Sequence, residues 1–289
     1  MSQRNNTRLG ISLMILVTLI FACQDGISRH LAETYNTYMV VMLRYWFFAG
    51  FVVALTARQA GGVRAAARTA QPLVQIGRGV LLASQICIAV YGFTLLGLVE
   101  SHAVFACYPL IVAALSGPML GETVGWRRWA AISAGFIGVL IILQPGSGVF
   151  NPLAIIPLVS SFGFALYALL TRYAARDDDA MTSFFWTGVA GAAVLTVIGP
   201  WFWEPMSAVD WGWMAVLCLT GASGHWLLIR VYEVAEASAV QPFAYLQLVF
   251  AGLLGIAIFG ESVRVNVMLG AGLIVAAGLF TLWRERAQG

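Results

Sequence analysis

The chain has 289 residues; 60% are hydrophobic, 10% are charged, and 16 basic residues, every one an arginine, set against 13 acidic ones leave a net charge of +3. A soluble domain carries roughly a quarter charged residues, so no single globular core can hide this much apolar surface, and the composition demands a polytopic membrane protein. The scattered arginines form no basic patch for nucleic acid, and Cys23, Cys87, Cys107 and Cys218 lie in apolar segments without metal-ligand spacing, as small hydrophobes packed as free thiols.

A bilayer core ~30 Å thick needs about 20 apolar residues per helix, and the chain offers ten such runs. The first, Leu9–Leu31, follows Arg4 and Arg8 and imitates a signal peptide. Nine further runs and no small-residue cleavage site make it a retained helix. Asp25 lies ~24 Å along it at the helical rise, and Arg44 lies ~9 Å into the second run, Tyr38–Ala57, so the two sit at similar depth near the outer face. Three roles are open to them: a structural ion pair, snorkelling to the surface, or ion coupling through Asp25, the sole carboxylate clearly inside a run. The third run, Leu73–Gly97, places Arg78, Gln85 and Gly92 on one face. Arg78 is near enough to the inner face to snorkel, while Gln85, near the midplane, either bonds across helices or lines a cavity.

The fourth run, Ser101–Leu120, aligns Ser101, Phe105, Tyr108 and Val112 and contains Pro109; the fifth is Arg127–Leu143. The sixth, Pro152–Tyr173, aligns Ser160, Gly163, Tyr167 and Thr171. Arg176 and Asp177 to Asp179 then form a solvated loop whose spacing is not that of a calcium site. The seventh run, Ala180–Phe202, carries Trp186; the eighth, Val209–Tyr232, carries His225, with packing, solute contact and proton sensing open to it. The ninth, Ser238–Phe259, aligns Gln241, Tyr245, Leu248 and Gly252 and contains Pro242; the tenth is Val265–Trp283. His30 and His102 fall near outer ends and read as interfacial.

Twelve arginines, Arg58, Arg64 and Arg68 among them, lie on or beside one set of alternating loops and termini, against Arg29 and Arg264 on the other. The positive-inside rule puts both termini in the cytoplasm of a bacterial-type inner membrane. Trp201, Trp203, Trp211 and Trp213 crowd one outer connection as interfacial anchors.

The chain also repeats itself. Glu100-Ser101-His102-Ala103-Val104, Pro109, Gly121-Glu122 and Ala134-Gly135 return as Glu236-Ala237-Ser238-Ala239-Val240, Pro242, Gly260-Glu261 and Ala271-Gly272. The copies are 136 residues apart at the first anchor and 139 at the Gly-Glu pairs, a small slip within one helix. Halves 1–146 and 147–289 hold five runs each, an odd number, so the second copy is inverted across the membrane. That is the plan of an alternating-access carrier with its site at the interface of the halves. Pro109 and Pro242 break corresponding segments, and a helix proline frees a carbonyl that a solute ammonium can use.

At these residues the chain resembles the EamA-type ten-helix branch of the drug/metabolite transporter superfamily. Leu43-Arg44-Tyr45, Tyr91-Gly92, Ser101 to Val104 with Pro109, Gly121-Glu122, and Ala134-Gly135 with Gly138 match that family's repeat. The second copy departs in its second helix, which has no arginine. The resemblance covers nearly the whole chain and implies an all-α fold and transport, with an aromatic amino-acid exporter branch of the YddG type among its members. It implies no cofactor, no metal and no catalysis.

The expectation is therefore an inner-membrane carrier that exports small neutral or zwitterionic metabolites, amino acids including aromatic ones foremost. Its candidate solute contacts are Gln85, Tyr108, Ser160, Tyr167, Trp186, His225, Gln241 and Tyr245; proton coupling and oligomeric state stay open. A nucleotide-sugar or other metabolite exchanger is the alternative, disfavoured because no basic residue sits at midplane. A remote one is an intramembrane serine protease: Gly221-Ala222-Ser223-Gly224 matches such a nucleophile string. Its base must come from another helix, and His225, two residues on, projects away from Ser223.

Overall fold

The computed structural model describes residues 7–121, 125–143, 151–235, 240 and 243–286, and these are helical throughout apart from turns and short connections. Gln241, Pro242, Glu122, residues 236–239 and the boundary after residue 146 lie outside the described residues. The helices are α1 (Thr7–Thr34), α2 (Thr37–Ala57), a short α3 (Gly62–Ala67), α4 (Pro72–Phe105), α5 (Tyr108–Leu120), α6 (Trp126–Leu143), α7 (Ile155–Ala174), α8 (Ala180–Ile198), α9 (Ala208–Val234), α10 (Leu246–Phe259) and α11 (Val265–Arg286). Six of them, α1, α2, α4, α7, α8 and α9, are long and apolar enough to cross a membrane, and α5, α6, α10 and α11 are shorter apolar helices.

Local chemistry sets the helix ends. Asn36, Asp179 and Ser207, each in extended backbone, accept a hydrogen bond from the N–H of Met39, Thr182 and Asp210 and so start α2, α8 and α9. Each such cap is worth about 0.5–2 kcal/mol. The glycines of the two Gly-Glu pairs do one job twice: Gly121 (φ 76°) and Gly260 (φ 64°) end α5 and α10 in the left-handed conformation that closes a helix.

The third and fourth predicted spans are joined without a loop. At Gly97 the backbone takes φ 80°, ψ 176°, open only to glycine, and α4 folds back on itself. Ser101 then donates to the Gly92 carbonyl at 3.1 Å, and the His102 ring stacks on Phe93 with centroids 5.0 Å apart. The second arm of α4 stops at Ala106 and Cys107, and Pro109 sits in the first turn of α5, where a missing N–H costs nothing. The break expected at Pro109 therefore lies two residues before it. In the matching segment a turn at Tyr245 precedes α10.

Eight spans close a ring, the second arm of α4 and α5 together making one of them. Going round it, α2 packs on α8, α8 on the first arm of α4, that arm on α7, α7 on α5, α10 on the second arm of α4, α10 on α1, α1 on α9, and α9 back on α2. The α6–α11 pair packs together beside the ring, with Gly138 set so close to the Gly270 carbonyl that a Cβ would lie 2.7 Å from it. Exchanging the first five spans for the second five leaves α2 on α8 and α10 on the second arm of α4 as they are, and turns each other pairing into another on the same ring. This is the pairing that two inverted five-helix repeats require.

Candidate functional site

The ring encloses a central cavity of ≈ 40 Å³. Its wall combines Gln24 and Asp25 of α1, Arg44 of α2, Gln85 and His102 of α4, His225 of α9 and Gln247 of α10 with the rings of Phe21, Phe93, Phe105 and Phe164. That volume admits a few waters and falls far below the roughly 300–1,000 Å³ of ligand pockets. A metabolite enters only if the helices part.

Asp25 and Arg44 share this cavity but make no ion pair. The Asp25 carboxylate accepts from Gln247 Nε2 at 3.0 Å and faces His102 Nε2 at 3.0 Å, both through Oδ2, which leaves Oδ1 without a donor among the described residues. Among the described residues Arg44, 3% exposed, makes one hydrogen bond, from Nη2 to His225 Nε2 at 3.1 Å. A guanidinium has five donors, so most of its hydrogen-bonding capacity is unspent. His225 takes this bond on Nε2, so its proton is on Nδ1, which is buried without a partner; Gln24 Oε1 is also buried and unpartnered. The site thus presents free donors beside a cation on one wall and a free carboxylate oxygen on another.

Gln85 lines the cavity and is steered by Ser160, whose hydroxyl donates to Gln85 Oε1 at 2.9 Å. Both roles open to Gln85 are therefore seen. Tyr167 stands beside the site, edge-on to His225 at 6.3 Å, with its hydroxyl buried and unpartnered. Tyr108 is packed on Phe105 and Phe164, and Tyr245 is buried with an unpartnered hydroxyl; neither lines the cavity. Trp186 donates to the Ala67 carbonyl of α3 at 3.3 Å, away from the cavity. Ser223 is exposed and returns its hydroxyl to the Leu219 carbonyl at 2.8 Å, with no base against it.

Two expectations are corrected. Arg78 does not snorkel: it is fully buried and donates to Gln75 Oε1 at 2.8 Å, to the Thr187 hydroxyl at 2.8 and 2.9 Å, and to the Ser183 carbonyl. The Tyr167 ring also lies 5.4 Å from its guanidinium carbon. This net ties α4 to α7 and α8 and continues through Gln75 to Asp178, 2.8 Å away. His102 is not interfacial but 2% exposed, because the fold-back at Gly97 turns it inward onto Asp25.

The Gly97 end of the bundle is sealed by one carboxylate. Glu261 accepts from the N–H groups of Leu98 and Val99 at 2.8 and 2.7 Å, capping the second arm of α4, and pairs with Arg29. Arg264 and Glu100 pair beside it. This network, Gln24, Gln247 and the four phenylalanines were not singled out from sequence as site groups.

The model of the EamA-like transporter family matches residues 8–144 and matches again at 152–283. The chain is similar to an S-adenosylmethionine uptake transporter of Rickettsia prowazekii, 25% identical over 96% of this chain and 93% of the relative. It is similar to a riboflavin transporter of Vibrio cholerae, 28% identical over 99% and 97%, and to the pseudopaline exporter CntI of Pseudomonas aeruginosa, 22% identical over 93% and 94%. A solved crystal structure shares its fold with a TM-score of 0.66 at 18% identity, covering 98% of both chains. A ring of apolar helices around a closed polar cavity, matched by one family model first over one set of spans and then over the other, is the build of a membrane carrier, and the chain belongs to the EamA-like transporter family.

Proposed function

We propose that this chain carries small zwitterionic metabolites with an amino-carboxylate head and an aromatic or apolar body, amino acids foremost, by alternating access of halves 1–146 and 147–289. One observation carries the reading: in the closed cavity Arg44 keeps unspent donors while Asp25 keeps a free oxygen on the facing wall. A solute carboxylate would satisfy Arg44 and its ammonium would satisfy Asp25, each contact being a charge-assisted bond. The body of the solute would lie among Phe21, Phe93, Phe105 and Phe164. S-adenosylmethionine, named for one relative, has both such a head and an aromatic base. Arg78, the other buried cation near the ring, has its donors taken by protein groups, which argues against a phosphate ester.

The arginine asymmetry supports termini in the cytoplasm, which makes the Gly97–Glu261 end the outer one. Labelling of Arg64→Cys by an impermeant thiol reagent added outside intact cells would overturn that orientation. For the solute, purified protein in vesicles is offered labelled phenylalanine, tryptophan, S-adenosylmethionine, riboflavin and a nucleotide-sugar. Because the relatives' names include both uptake and export, entry into vesicles and efflux from preloaded ones are both measured. Movement of amino-carboxylates that Arg44→Gln suppresses is expected. Movement of the nucleotide-sugar alone would overturn the reading.

A further inference from the structure

We infer that Asp25 and His102 form a proton-binding site, which couples closure of the Gly97 end of the carrier to pH. The geometry of the imidazole carries this. His102 Nδ1 lies 2.9 Å from the Leu98 carbonyl oxygen, one turn back, and a carbonyl only accepts, so Nδ1 bears a hydrogen. Nε2 lies 3.0 Å from Asp25 Oδ2. If the imidazole were neutral and the aspartate ionised, two lone pairs would face each other across that gap. A proton must lie between them, on His102 as an imidazolium or on Asp25 as a carboxylic acid. Gln247 Nε2, donating to the same oxygen, fixes the carboxyl without supplying that proton.

His225 makes the contrast in the same cavity, for there the Arg44 guanidinium supplies the hydrogen and the ring stays neutral. The charged groups around the pair are few. Arg44 of α2 and His225 of α9 stand across the cavity, and Arg29, one turn along α1, is held by Glu261 ahead of α11. From α7 and α10 the cavity receives Phe164 and Gln247, neither of them charged.

Asp25 is on α1 and His102 on the second arm of α4, so the pair bridges the two elements that Glu261 and Arg29 also bind together. On the proposed carrier cycle, which this step presumes, opening this end parts them. In water near neutral pH a separated aspartate and histidine keep only the imidazole's single N–H proton. The joined pair therefore holds one proton more than the parted pair. By linkage, the ratio of joined to parted states falls up to tenfold for each unit rise in pH. Acid closes this end and alkali loosens it, so a solute crossing through it is exchanged against, or carried with, a proton.

The test reads the gate without any solute. In a background with Cys23, Cys87, Cys107 and Cys218 changed to alanine, spin labels on Thr34→Cys of α1 and Leu95→Cys of α4 report the gap in lipid nanodiscs at about pH 5.5 and about pH 8.5. The parent should show the short distance in acid and lose it in alkali. Asp25→Asn should hold the short distance at both, since an amide nitrogen at the Oδ2 position meets the Nε2 lone pair without taking up a proton, and Gln247 turns its amide over to accept the second N–H. His102→Gln, which donates to the Asp25 carboxylate, should do the same and decides the matter if the asparagine variant does not fold. A parent distance that ignores pH, or substituted proteins that keep its full pH response, would overturn the proton site. The vesicle assay judges the solute separately, so failure of one reading is not failure of the other.

Discussion

Replacing Gly97 with alanine attacks the seal through two effects. The backbone at φ 80°, ψ 176° lies where only glycine rests easily, and forcing a side chain there costs about 1–3 kcal/mol. A Cβ would also stand 2.7 Å from Glu261 Oε1 and 2.8 Å from its Cδ, so the carboxylate must withdraw. That withdrawal breaks at least one backbone bond to a charged acceptor, worth about 1.5–3 kcal/mol. Together the expected loss is roughly 2.5–6 kcal/mol, measured as the free energy of reversible unfolding in mixed micelles of mild and denaturing detergent. A double-mutant cycle separates the parts. With Glu261→Ala already present, Gly97→Ala should cost only the strain of about 1–3 kcal/mol, leaving a coupling of about 1.5–3 kcal/mol. Equal costs in both backgrounds, within about 0.5 kcal/mol, would show that Gly97 does not make room for the Glu261 cap.

Arg44→Gln should leave membrane yield unchanged or improved, since it removes a buried cation with one bond. It should slow amino-carboxylate transport by roughly 10–150-fold, the equivalent of one charged hydrogen bond of about 1.5–3 kcal/mol, as read by initial uptake rates at matched protein. Arg78→Gln should cost about 1–3 kcal/mol of unfolding free energy because it leaves Gln75 Oε1 without its donor and unties α4 from α8, while Thr187 keeps its bond to the Ser183 carbonyl; Arg78→Lys should not restore it, lacking the planar fork. At Asp178, between α7 and α8, partial burial pushes the carboxyl upward, but bonds from Gln75, Thr69 and the Ala70 N–H, with the field of Arg78, outweigh it and hold the group below the ordinary carboxylate range. A depressed carboxyl stabilises at neutral pH and loses that effect as pH falls through its folded value, below about 4. Asp178→Asn should therefore lose less stability than the parent between neutral and strongly acidic solution in thermal melts.

Hydrophobic run length and the repeated Gly-Glu pairs were enough to read the helices and their doubling, because Gly121 and Gly260 answer to local backbone demands. The intramembrane polar residues were legible as a class, since Asp25, Arg44, Gln85 and His225 all line the cavity. Their partners were not. His102 was measured from the nearest span end, and depth does not tell which way a side chain turns; only the fold-back at Gly97 aims it at Asp25. Gln247 was passed over because the stripe through Gln241, Tyr245 and Leu248 assumes one unbroken helix, whereas α10 starts afresh at Leu246 after a turn and the helical phase does not carry across. Arg78 belongs to the same class, but its burial depends on hydroxyls of α7 and α8 about a hundred residues away in the chain. Nothing local announces them.

The unpartnered hydroxyls of Tyr45 and Tyr167 give the packed ring a built-in reason to come apart. Each is kept from water at a cost of about 1–3 kcal/mol, and neither ring could be swapped for phenylalanine in evolution without deepening the closed state. A carrier that rested too comfortably in one shape would turn over slowly, since every cycle must climb out of its lowest well. Two thirsty oxygens, one on α2 and one on α7, raise that floor. On this view Tyr45→Phe or Tyr167→Phe makes a sturdier protein and a slower one.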